Sequence, residues 1–93
     1  MVNPGTVIRN RTAAERAADY LREIANLLLV KATSYGNSLE HPVHVFSQLS
    51  PRDAVRVRID DKLSRIAAGG LYPGDDNRTD LIGYLALDKA LED

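Results

Sequence analysis

From Ala14 onward, apolar side chains return at helical spacing: Ala14, Ala17, Leu21, Ile24, Leu28 and Ala32 fall on one stripe. In front of it, Thr12-Ala13-Ala14-Glu15 reads as a capping box. The Thr12 hydroxyl accepts from the Glu15 amide, and the Glu15 carboxylate reaches back to the Thr12 amide. Gly36, within Tyr35-Gly36-Asn37, supplies a stop near residue 34. The pattern predicts a first helix over about 13–34, the longest element. Its second half departs from the stripe. Leu27, Leu28, Leu29 and Val30 point in four directions, more than an edge helix of a three-helix monomer buries. That turn reads either as one crowded core layer or as a contact between copies of the chain, and chain size favours the contact.

A second stripe, Val55, Ile59, Leu63 and Ile66, follows Ser50-Pro51-Arg52-Asp53. Ser50 caps, Pro51 suits the first helical position, and Asp53 complements the positive helix end. Gly69-Gly70 close this helix. A third helix starts with Asp75 or Asp76 as its cap and carries Leu81, Ile82, Leu85, Ala86 and Leu91. The connection over 35–49 holds Pro42 and an apolar patch, Val43, Val45, Phe46 and Leu49, and is expected to be a packed loop or a single helical turn. Connections of that length often carry function. Residues 1–11 have no apolar period and read as a flexible arm. The expectation is an all-α, three-helix domain over 12–93 with a long loop between helices one and two, assembled as a homo-oligomer through helix one.

Composition sharpens this. A chain of 93 residues buries only about two-thirds of the surface its unfolded form exposes. With no cysteine, neither disulfides nor thiolate zinc make up the deficit. Self-association is the remaining common route to a larger core. The start Met1-Val2-Asn3-Pro4-Gly5 lacks the basic and apolar parts of a signal peptide, and the run Leu27 to Val30 is far too short to span a bilayer. A cytoplasmic protein with no membrane partner is expected. Twelve basic against thirteen acidic side chains leave a net charge of −1, which argues against a general binder of DNA or RNA.

One group of residues points to a small anion instead. Arg58, Lys62 and Arg65 are spaced by four and three and share a helical face beside the core stripe. Three such cations suit phosphate oxygens, although a solvated helix face with local pairing to Asp61 has the same pattern. Asp61, three after Arg58 and four before Arg65, is placed to pair with both arginines. Around Lys31-Ala32-Thr33-Ser34-Tyr35-Gly36-Asn37-Ser38 a lysine, hydroxyls, an aromatic plane and an amide gather where a chain would grip a phosphate and stack a base, although turn formers flanking a glycine stop look the same. Asp76 and Asp80 lie four apart at the start of helix three, a spacing that Mg²⁺ accepts alongside phosphate oxygens and that helix dipoles also favour. Gly83-Tyr84 puts a glycine inside that helix, which implies a close neighbour. His41 and His44, three apart, have no cysteine or HExxH partner for zinc. GxSxG, a glycine-rich phosphate loop and a dinucleotide fingerprint are all missing.

Taken in order, Tyr35-Gly36-Asn37, then Arg58-Ile59-Asp60-Asp61-Lys62-Leu63-Ser64-Arg65-Ile66, then Asp80-Leu81-Ile82-Gly83-Tyr84 resemble a family of small helical phage and bacterial proteins. These are of the nucleotide modification associated domain type, and are similar in turn to MazG-like nucleoside triphosphate pyrophosphohydrolases. The resemblance spans residues 31–87 and implies an oligomeric, nucleotide-handling, helical protein, often phage-encoded. It implies a site containing Tyr35, Asn37, Arg58, Asp61, Lys62, Arg65 and Asp80, to which the pattern of residues adds Lys31 and Tyr84. MazG-like enzymes hold Mg²⁺ with an EExxE run and a later ExxD pair. Here helix one offers only Glu15, Asp19 and Glu23, and no glutamate pair occurs in the matching segment. A metal-activated water needs a dense carboxylate set. The expectation is therefore a non-catalytic nucleotide binder with no cofactor, in the manner of a phage protein that sequesters a nucleotide signal used in host immunity. The alternative is a Mg²⁺-dependent pyrophosphohydrolase using Asp61, Asp76 and Asp80.

Overall fold

In the computed structural model, which describes residues 10–34, 38–69, 74 and 76–92, the three helices form where their end signals stand. Thr12 N donates to Glu15 Oε1 at 3.2 Å while Glu15 N donates to Thr12 Oγ1 at 3.1 Å. This reciprocal pair opens α1, Ala13–Ser34. Ser50 Oγ accepts from Asp53 N at 3.1 Å, with Pro51 next, and opens α2, Pro51–Ala67. Gly69 leaves α2 at φ 103, in the left-handed region that favours glycine, and its amide donates to Ile66 O. Asp76 is the cap of α3, Asn77–Ala90, accepting from Thr79 N at 3.0 Å. The fold is all-α, with no strand among the described residues. Tyr35, Gly36, Asn37, Gly70, Asp75 and the arm before Asn10 lie outside the described residues.

Helix α3 is central: it packs against both α1 and α2, which do not pack on each other. Its contacts give the directions. Arg52 and Arg56 near the start of α2 reach Asp88 near the end of α3, while Lys62 further along α2 reaches Asp80 near the start. Those two helices are antiparallel. Tyr20 on α1 hydrogen-bonds the Thr79 hydroxyl, and Leu28, two turns on, lies against Gly83. So α1 and α3 run in the same sense.

This arrangement leaves a thin core. Val55 is fully buried and Ile24 nearly so, but Leu21, Leu63 and Leu85 of the expected stripes are about half exposed. The stripes of α1 and α2 face a neighbour only along α3, because the two helices never meet. The molecule measures 65 × 31 × 26 Å with a radius of gyration of 17.7 Å, against about 12 Å for a compact chain of this length. The connection after α1 is an irregular loop rather than a helical turn, and it is not packed: Leu39 and Pro42 are half-buried, whereas Val43, Val45 and Phe46 stand in solvent. Local bonds hold its shape, with His44 Nδ1 3.0 Å from Ser47 O and Gln48 Nε2 donating to His44 O at 3.1 Å. No helix is long and apolar enough to cross a membrane among the described residues.

Candidate functional site

Because α1 and α2 stand apart on either side of α3, a trough of about 800 Å³ opens between them. Its volume lies within the range of small-molecule pockets. Helix α3 makes the floor with Thr79, Asp80, Gly83, Tyr84 and Leu87. Helix α1 contributes Ile24, Leu27, Leu28, Lys31 and Ala32 to one wall, and α2 contributes Ala54 and Arg58 to the other. The loop over 38–49 closes one end, bringing Glu40, His44 and Phe46 to the rim. The chain direction explains that end: α1 finishes and α2 begins at the same end of the molecule, so the loop must bridge the gap between them.

Lys31 and Arg58 are thus on opposite walls of one cavity, with Asp80 and Tyr84, one helical turn apart, on its floor. Neither Lys31 nor Arg58 has an ion-pair partner among the described residues. The other expected site residues are elsewhere. Lys62 does not line the trough; its side chain is 13% exposed and its Nζ lies 3.0 Å from Asp80 Oδ2. Arg65 and Asp61 sit further along α2, paired across one turn at 3.3 Å, and neither lines the cavity. The expected pairing of Asp61 with both arginines holds for Arg65, while Arg58 is left facing the trough. Tyr35 and Asn37 cannot be placed, as they fall outside the described residues. One helical face therefore carries three cations in three situations: Arg58 at the cavity, Lys62 spent on Asp80, and Arg65 on Asp61. Spacing gives the face but not the point along it where the neighbouring helix crosses.

The carboxylates expected to share a metal are each engaged separately. Asp76 caps α3, and its hydrogen bonds from the Thr79 hydroxyl and amide hold its carboxyl below the usual range. Asp80 meets Lys62, and Asp61 meets Arg65. No three His, Cys, Asp or Glu side chains come together in a metal-holding group among the described residues.

Two features were not anticipated. The first is Asp88, which accepts from Arg52 Nε at 3.0 Å and Arg56 Nε at 2.8 Å; these bonds hold its carboxyl at about 2. The second is the relay from Tyr20 through Thr79 to Asp76, which ties α1 to the start of α3. Burial pushes the Tyr20 hydroxyl upward, helped by the nearby Asp76 carboxylate. Both link helices distant in sequence, so no local spacing announces them.

The fold and trough define the chain as a three-helix protein with an open, cation-flanked cavity. Comparison with family models, curated proteins and solved structures finds no match.

Proposed function

We propose that this protein binds a nucleotide in the trough and does not turn it over. The observation that carries the reading is the pair of cations, Lys31 and Arg58, facing one largely apolar cavity from opposite walls without ion-pair partners among the described residues. Cations left without counter-ions at a cavity suit an anionic ligand, and a guanidinium gives phosphate a two-point contact. Tyr84 on the floor offers a ring for a base. The separate engagement of Asp61, Asp76 and Asp80 favours binding over metal-assisted hydrolysis, which needs carboxylates gathered on one ion. The resemblance to phage nucleotide-handling proteins supports a role in withholding a nucleotide signal from a host defence, with the protein acting as a homo-oligomer.

The test is equilibrium binding to a panel of nucleotides, with Mg²⁺ and with EDTA, followed by analysis of what is recovered. The expected result is stoichiometric retention of unchanged ligand in both conditions. Arg58→Ala is expected to weaken binding by about 1.5–3 kcal/mol, the range for a charge-assisted hydrogen bond. Release of pyrophosphate, or affinity abolished by EDTA, would replace this reading with that of a pyrophosphohydrolase. No retention of any nucleotide would leave a structural helical protein.

A further inference from the structure

Among the charged groups at the trough, Asp80 is the one whose presence is hardest to reconcile with an anionic ligand. It lines the floor of the same trough as Lys31 and Arg58, where a bare carboxylate repels phosphate. Glu40 lines the loop end as well, so the cations and carboxylates of the lining are equal in number. Lys62 changes this balance. It lies outside the lining, is largely covered, and places Nζ 3.0 Å from Asp80 Oδ2. The trough and its backing then carry one excess positive charge, and Asp80 is both neutralised and fixed in place. Asp80 Oδ1 has no hydrogen-bond partner among the described residues.

From this we infer that Asp80 is a specificity-determining residue that accepts hydrogen bonds from the nucleoside part of the ligand, and that Lys62 is a positioning residue for Asp80 rather than a phosphate grip. The inference rests on the nucleotide reading above. An ionised carboxylate is acceptor-only. An ionised phosphate brings it no donor, whereas a ribose hydroxyl or a base N–H does. Asp80 thereby penalises inorganic polyphosphate, which offers charge alone, and rewards a ligand that carries donors beside its phosphates. A site built to hydrogen-bond a group rejects analogues lacking it, because its own polar atom is then left unpaired. Tyr84, one turn further along α3, stands where a base stacked on it would bring that edge of the ligand near Asp80.

The experiment is calorimetric titration of the full chain with a nucleotide panel and, separately, with inorganic triphosphate. For Asp80→Ala the expected result is a loss of about tenfold or more in nucleotide affinity, with triphosphate affinity unchanged or raised as Lys62 is released. Asp80→Asn, which keeps a carbonyl acceptor and the side-chain shape, is expected to restore part of the nucleotide preference. Lys62→Met leaves the Asp80 charge uncompensated and is expected to weaken both ligands together. If Asp80→Ala does not fold, the Asn and Met variants carry the same comparison. Equal losses for nucleotide and triphosphate in the Asp80 variants, or no loss for either, would overturn the inference while leaving the nucleotide reading intact. A wild-type protein that binds no nucleotide would overturn both.

Discussion

Gly83 is buried in the middle of α3 beside Leu28 of α1, and both line the trough. A methyl group added there would meet Leu28 Cδ2 at 3.7 Å, an ordinary van der Waals contact. The close neighbour that a glycine inside a helix implies is present, yet it leaves room for alanine. Glycine costs about 1 kcal/mol against alanine in a helix interior. Gly83→Ala is therefore expected to raise stability by roughly 0.5–1 kcal/mol, measured as a higher urea midpoint. A loss of stability would mean that Leu28 cannot accommodate the added methyl. At this scale the sequence was legible where a residue acts on its own backbone. Thr12, Ser50 and Asp76 cap as their types and positions require. It was not legible where a side chain's task depends on what lies opposite it: Arg58, Lys62 and Arg65 look alike in the sequence, yet the first faces the trough, the second meets Asp80 of α3 and the third pairs with Asp61 on its own helix.

Helices α2 and α3 are held together along their length by charge as well as by Val55. At one end Arg52 and Arg56 converge on Asp88, and at the other Lys62 meets Asp80. The Asp88 carboxyl is depressed to about 2, first by its bonds from Arg52 and then by those from Arg56. Asp76 is also held low by Thr79, and Asp19 by Arg11. A carboxylate whose folded value lies below its unfolded one stabilises the fold above the unfolded value and loses that effect as pH falls through the folded value. All three shifts have this sign. Stability is expected to be level above about pH 5 and to fall from about pH 4 toward pH 2, read as a declining thermal midpoint. Asp88→Asn should flatten part of that decline; an unaltered acid profile in this variant would show that the clamp contributes nothing. Helix existence and order were plain from the periodicity and the end signals. The packing order was not, since each stripe reports an apolar face without saying which helix lies opposite.

At the scale of the whole molecule the unsettled quantity is apolar surface. Leu29 and Val30 on α1 are 69% and 62% exposed, and Phe46 on the loop is fully so. Surface of that kind on a small chain with a thin core favours association. A homo-oligomer is expected by light scattering at micromolar concentration, with Leu29→Glu shifting the mass toward the monomer. A wild-type monomer under those conditions would remove the expectation. The sequence signalled the exposure in the all-round apolar turn from Leu27 to Val30; the solvent-facing loop apolars were instead expected to pack, because an alternating patch carries no information about whether a surface exists to receive it.

The central position of α3 also sets a timetable for synthesis. The partner that α1 packs on begins only at Asn77, long after α1 ends at Ser34. At about 5–20 residues per second, the finished α1 waits seconds on the ribosome with its apolar turn uncovered, and α2 passing by offers it no shelter. During that interval each nascent chain exposes the same sticky segment as its neighbours on one message. A homo-oligomer of this chain is thus expected to begin assembling while its copies are still being made, before any of them has closed its own trough.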